Sequence, residues 1–113
     1  MVRKLIICLI FLTSSTFAAT AAEDERACSI FSSWVRAVAM HKASGVPAKD
    51  VIYSLEQQSI VEEDLKPVLQ EIIDWLYDPK NPPITSGADI DYITFGAFKE
   101  CVRARAELRN DIT

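Results

Sequence analysis

Apolar residues along this chain recur at spacings of three and four, which predicts helices and no convincing strand. The cleanest run is Leu65, Val68, Leu69, Ile72, Ile73 and Leu76, an amphipathic face that predicts a helix over 64–77. Asp64 is placed to cap it, and Pro67 falls in a first turn whose N–H groups have no helical partner. A start at Ser59, with Glu62 completing a capping box, competes with this and would put a kink at Pro67. Upstream, Phe31, Trp34, Val35 and Val38 follow Cys28 at helical spacing and predict a helix over 24–44. Asp24 and Glu25 suit its positive end, Gly45 suits the left-handed residue that stops it, and Pro47 blocks continuation. Ala48, Val51, Ile52 and Leu55 predict a short helix over 47–57.

The last predicted helix, 89–109, turns Ile90, Ile93, Ala97, Phe98, Cys101, Val102 and Leu108 inward. Gly96 lies in its interior at a cost in helix propensity, which either a close neighbour or tolerated imperfection would explain. Ahead of it, Asp78-Pro79-Lys80-Asn81-Pro82-Pro83 opens a stiff loop reaching about Ala88. The expected fold class is all-α, a single four-helix, bundle-like domain over 23–113.

The N-terminus adds a compartment. Arg3 and Lys4 precede an apolar run from Leu5 to Leu12, then polar and small residues, then Glu23-Asp24-Glu25. That order is the one a secretory signal peptide has, and Ala19-Thr20-Ala21 offers a cleavage site near Ala21 or Ala22, so residues 1–22 are read as the signal. The apolar run is far shorter than the roughly 20 residues of a membrane span. Cys8 follows the bulky Ile7, unlike a lipid-attachment cysteine. The mature chain is therefore expected in the periplasm or outside the cell, with no membrane attachment.

Export leaves Cys28 and Cys101 in an oxidising compartment. Their wide separation fits neither a CxxC motif nor a zinc site. In an antiparallel up-down bundle the start of the first helix lies beside the later part of the fourth, so a disulfide between them is expected. Removing Arg3 and Lys4 leaves 10 basic residues against 16 acidic ones, a formal charge of −6. That balance argues against nucleic acid and anionic membrane surfaces as partners.

Candidate chemistry is sparse. His41 is the single histidine, which excludes a His-rich metal site and leaves a helix-end imidazole. The chain carries no glycine-rich phosphate loop and no nucleophile elbow. Glu71, Asp74 and Asp78 are spaced to share a helix face, and paired carboxylates serve glycoside or metal chemistry, but a solvated face is the simpler reading. Lys99, Arg103, Arg105 and Arg109 make the end of the last helix basic. There Arg103 is placed to pair with Glu107, and the acidic face of the third helix is the economical counterpart for the rest. Trp34 is expected in the core; Trp75, Tyr77 and Tyr92 form the candidate interaction surface. No residue is assigned to catalysis, to a cofactor or to a metal.

Cys28, the turn from Lys42 to Pro47, the stretch from Ile72 through Tyr77-Asp78-Pro79, and Phe98 to Cys101 together resemble a broad group of small exported bacterial proteins. In that group an N-terminal cysteine helix, a Gly-Val turn, an aromatic-x-Pro helix end and a C-terminal cysteine recur in this order. The resemblance implies a helical fold with a disulfide and no catalytic residues. Periplasmic acid-stress chaperones of the HdeA kind share the general plan, with cysteines closer together, as do periplasmic immunity proteins that block cell-wall-degrading effectors. The expected function is a non-enzymatic protein-binding module, in its sharpest form an inhibitor or immunity protein. Its partner would be another protein, and a homodimer is a candidate assembly. An acid-stress chaperone is the alternative, and an enzyme using Glu71, Asp74 and Asp78 the third reading.

Overall fold

The structure, a computed structural model, describes residues 21–59 and 61–112. Residues 1–20, which hold nearly all of the expected signal peptide and Cys8, and the Arg109 side chain lie outside the described residues. Among the described residues all regular structure is helical: α1 (Ala21–Ala43), α2 (Val51–Gln58), α3 (Lys66–Leu76) and α4 (Gly87–Ile112). Single 3₁₀ turns over Ala48–Asp50 and Glu63–Leu65 lead into α2 and α3.

The ends of these helices follow from local chemistry. Gly45 takes φ of 84°, the Gly45 N–H bonds to the Lys42 carbonyl, and the Val46 N–H bonds to the His41 carbonyl. That is a Schellman ending, and only glycine adopts its left-handed residue without strain. Pro67 sits in the first turn of α3, which therefore runs unkinked past it. Asp64 does not cap α3, contrary to expectation. The extended residue that a cap requires is Glu62, and Asp64 lies inside the 3₁₀ turn that follows it. At α4 the Ser86 hydroxyl accepts the Asp89 N–H at 3.2 Å, so the helix begins at Gly87, two residues ahead of the expected start.

α1 and α4 are the long elements, and they run antiparallel. Three cross-links set their register: Asp24 with Arg105, Cys28 with Cys101, and Arg36 with Asp91. The disulfide is formed, with Cα atoms 5.6 Å apart and both cysteines fully buried. One turn away on each helix, the Arg105 guanidinium donates to the Asp24 carboxylate at 2.8 Å, with side chains 8% and 4% exposed. Arg105, within the basic end of α4, is thus answered by Asp24 of α1. Arg103, as expected, pairs with Glu107, and also with Glu100.

α3 packs on α1, and α2 packs on α3, while α4 packs chiefly on α1. The arrangement is less even than four equal helices: two long rods with a short pair against one side, 45 × 27 × 21 Å overall. Phe31, Val35 and Val38 of α1 meet Leu69, Ile72 and Ile73 of α3 in the core, and Val51 and Leu55 of α2 close it. Trp34 is half-buried against this cluster. Leu108, expected inward, stands 36% exposed.

The paired clasp of disulfide and ion pair yields two stability predictions. Replacing Cys28 and Cys101 by serine is expected to cost about 4 kcal/mol through the entropy of the reopened loop, measured by urea unfolding. Arg105→Met strands a buried carboxylate and is expected to cost about 3–5 kcal/mol, whereas adding Asp24→Leu to it recovers most of that loss.

Candidate functional site

The carboxyl end of α3, the proline loop and the start of α4 together enclose a groove of about 380 Å³. Polar turn chemistry builds it. α3 stops at Leu76, and the Asp78 carboxylate accepts the Lys80 N–H at 2.9 Å, folding the chain back on itself. The Asn81 side-chain amide then donates to the Trp75 carbonyl, closing the end of the helix. Pro82 and Pro83 follow as a stiff wall, and Ile84, 9% exposed, pins the loop into the core.

The groove's floor is Leu76 and Ile84, its sides are Pro82, Pro83 and Ile93, and its rims are Trp75 and Tyr92. Two charged residues stand at the edges, and both are engaged. The Lys42 ammonium donates to the Leu76 carbonyl and lies 5.7 Å from the Tyr77 ring centre. Asp89 accepts from both the Thr85 N–H and the Thr85 hydroxyl at 3.0 Å. Those bonds stabilise its charged form and hold the carboxyl below the usual range, with the Ser86 hydrogen bonds acting in the same direction. What remains open to a ligand is a largely apolar concavity with aromatic edges.

The structure brings two of the three predicted surface residues together and separates the third. Trp75 and Tyr92, 17 positions apart in sequence, face the same groove, and Tyr92 is 83% exposed. Tyr77 lies outside the lining. Its hydroxyl donates to the Val46 carbonyl at 2.6 Å, tying the end of α3 to the α1–α2 turn, and burial pushes its pKa up. Tyr77 is therefore a structural tie. Phe95, 63% exposed one turn beyond Tyr92, was not singled out from the sequence. A large aromatic off the apolar stripe of an amphipathic helix was the available signal.

Of the three carboxylates, Glu71 and Asp74 keep their spacing of three on α3, but Asp78 does not join them. α3 ends before Asp78, which is spent in its turn, while Asp74 accepts from Gln70 at 2.9 Å. Among the described residues no group of three or more His, Cys, Asp and Glu side chains is placed to hold a metal ion. His41 has two partners. Its Nδ1 lies 2.7 Å from the Ala37 carbonyl, which accepts only, so Nδ1 carries a proton; Nε2 lies 3.0 Å from the Ser54 hydroxyl. Neither His41 nor Ser54 lines the groove, and their bond joins α1 to α2.

Among the described residues no helix is long and apolar enough to cross a membrane. In comparisons with known proteins the chain matches no family model, no curated protein and no solved structure.

The latch at Asp89 makes a pH prediction. A carboxyl whose folded pKa is depressed contributes stability that is present above the ordinary pKa and is lost as pH falls through the lower folded value. Titration of Asp89 followed by carboxyl carbon NMR is expected to show a midpoint below the usual aspartate value of about 3.9. Thr85→Ala, which removes one of the two Thr85 donors, is expected to move that midpoint upward.

Proposed function

We propose that this chain is an exported, non-enzymatic protein-binding module that receives an apolar segment of another protein in the groove between Trp75 and Tyr92. The observation that carries the reading is the groove itself: stiff proline walls, an apolar floor and two aromatic rims at one end of the molecule. Aromatic anchors around a desolvated pocket are where binding energy concentrates in protein interfaces. Walls preset by Pro82 and Pro83 and pinned by Ile84 reduce the ordering cost that binding would otherwise carry. A buried disulfide belongs to oxidising compartments, which supports the export reading. An inhibitor or immunity role is the sharpest form of this function.

The test is affinity capture from the cell-envelope and secreted fractions with the oxidised protein, read by mass spectrometry at pH 7 and at about pH 3. One dominant stoichiometric partner at neutral pH is expected. Trp75→Ala is expected to weaken its capture by about 2 kcal/mol or more, roughly thirtyfold in Kd. Capture of many unrelated clients in acid alone would sink the inhibitor reading and favour an acid-stress chaperone. Capture indifferent to Trp75→Ala would remove the groove from the function.

A further inference from the structure

We propose that two copies of this chain pair through the outward face of α4, antiparallel about a two-fold axis that passes at Gly96. This face shares Asp89 and Tyr92 with the edge of the groove but leaves its floor and proline walls uncovered.

The face is uncovered within one molecule because α4 packs chiefly on α1 alone. Asp89, Tyr92, Gly96, Lys99 and Arg103 follow one another at spacings of three and four, so they form a single stripe, and Phe95 flanks it. Tyr92 and Phe95 are 83% and 63% exposed, in a molecule whose other helices bury most of their large apolar side chains. One turn beyond Tyr92, Gly96 stands exposed in the helix interior, and a Cβ added there meets nothing within 4 Å. Packing inside the molecule therefore does not call for a glycine, which costs about 1 kcal/mol of helix propensity relative to alanine. A second helix crossing from outside would, because a missing Cβ lets two backbones approach.

Charge selects the partner and its direction. The amino-terminal half of the stripe carries Asp89 and the other half carries Lys99 and Arg103. Antiparallel pairing about Gly96 sets Asp89 of each copy against Arg103 of the other. It also brings Lys99 to the level of the second copy's Tyr92, where an ammonium over an aromatic face is attractive. Lys99 already makes that kind of contact within the molecule, 5.3 Å from the Phe95 ring centre. Arg103 is held by Glu100 and Glu107 at 2.6 and 2.5 Å, which orients its guanidinium before association. Parallel pairing would set Asp89 on Asp89 and Arg103 on Arg103, and like charges in register repel. A stripe complementary to itself only when reversed suits an isologous two-fold dimer.

Sedimentation equilibrium of the oxidised protein over roughly 5–500 µM tests this. A monomer–dimer equilibrium is expected, with Gly96→Glu raising the dissociation constant at least about tenfold and leaving the far-ultraviolet circular dichroism of the monomer unchanged. Under mild oxidation Gly96→Cys is expected to cross-link to its own copy, whereas Ser33→Cys, on the exposed side of α1, is not. A monomer at every concentration, or a dimer indifferent to Gly96→Glu, overturns the proposal. Partner capture is read separately by Trp75→Ala, at a residue outside this face, and Gly96 lies outside the groove lining.

Discussion

Everything in this fold hangs from the clasp between α1 and α4. The Cys28–Cys101 bond and the Asp24–Arg105 pair sit one turn apart on both helices, so a covalent link and a buried ionic one fix the same register. The two are not redundant. The disulfide limits how far the unfolded chain can spread, while the ion pair makes any slip in the folded register leave a buried charge without its partner. A domain of about 90 residues buries only a modest share of its surface, so a constraint of this size weighs heavily in its stability.

With the long helices held in register, the short ones have a defined task. α2 and α3 lie to one side and supply the second half of the core, with Leu69, Ile72 and Ile73 meeting Phe31, Val35 and Val38. At the far end from the clasp, three polar ties hold the elements together. Lys42 donates to the carbonyl at the end of α3, Tyr77 donates to the α1–α2 turn, and Ser54 meets His41. The groove opens at this end because the proline loop must travel from the end of α3 to the start of α4 without a helix to cover its path. Its rigidity comes from turns and caps more than from packing.

The two surfaces proposed for association hold Trp75, Tyr92 and Phe95 between them, while Tyr53, 67% exposed on α2, belongs to neither. Trp75 faces the groove, Phe95 and Gly96 face outward along α4, and Tyr92 stands at the boundary of both. A dimer formed through α4 would place two grooves on one assembly, related by the two-fold axis, so that a partner presenting two copies of its segment would bind with the benefit of effective concentration.

The helices, their approximate ends and the cysteine pair were legible in the sequence, because spacing, capping residues and loop breakers act locally. The Leu65-to-Leu76 run packs as its period dictates, and Gly45 takes the dihedral that the ending of α1 demands. Cap positions were less legible: Asp64 yielded to a 3₁₀ turn, and α4 starts at Gly87 ahead of the expected Asp89 because Ser86, immediately before it, accepts the Asp89 N–H. Burial of a lone loop isoleucine, the union of Asp24 with Arg105, and the division of Trp75 and Tyr92 from Tyr77 are decided by which elements lie side by side. The sequence by itself determined where the chain coils and which faces are apolar. Tertiary structure alone decided which of those faces found cover, since periodicity describes one helix and burial is a property of two.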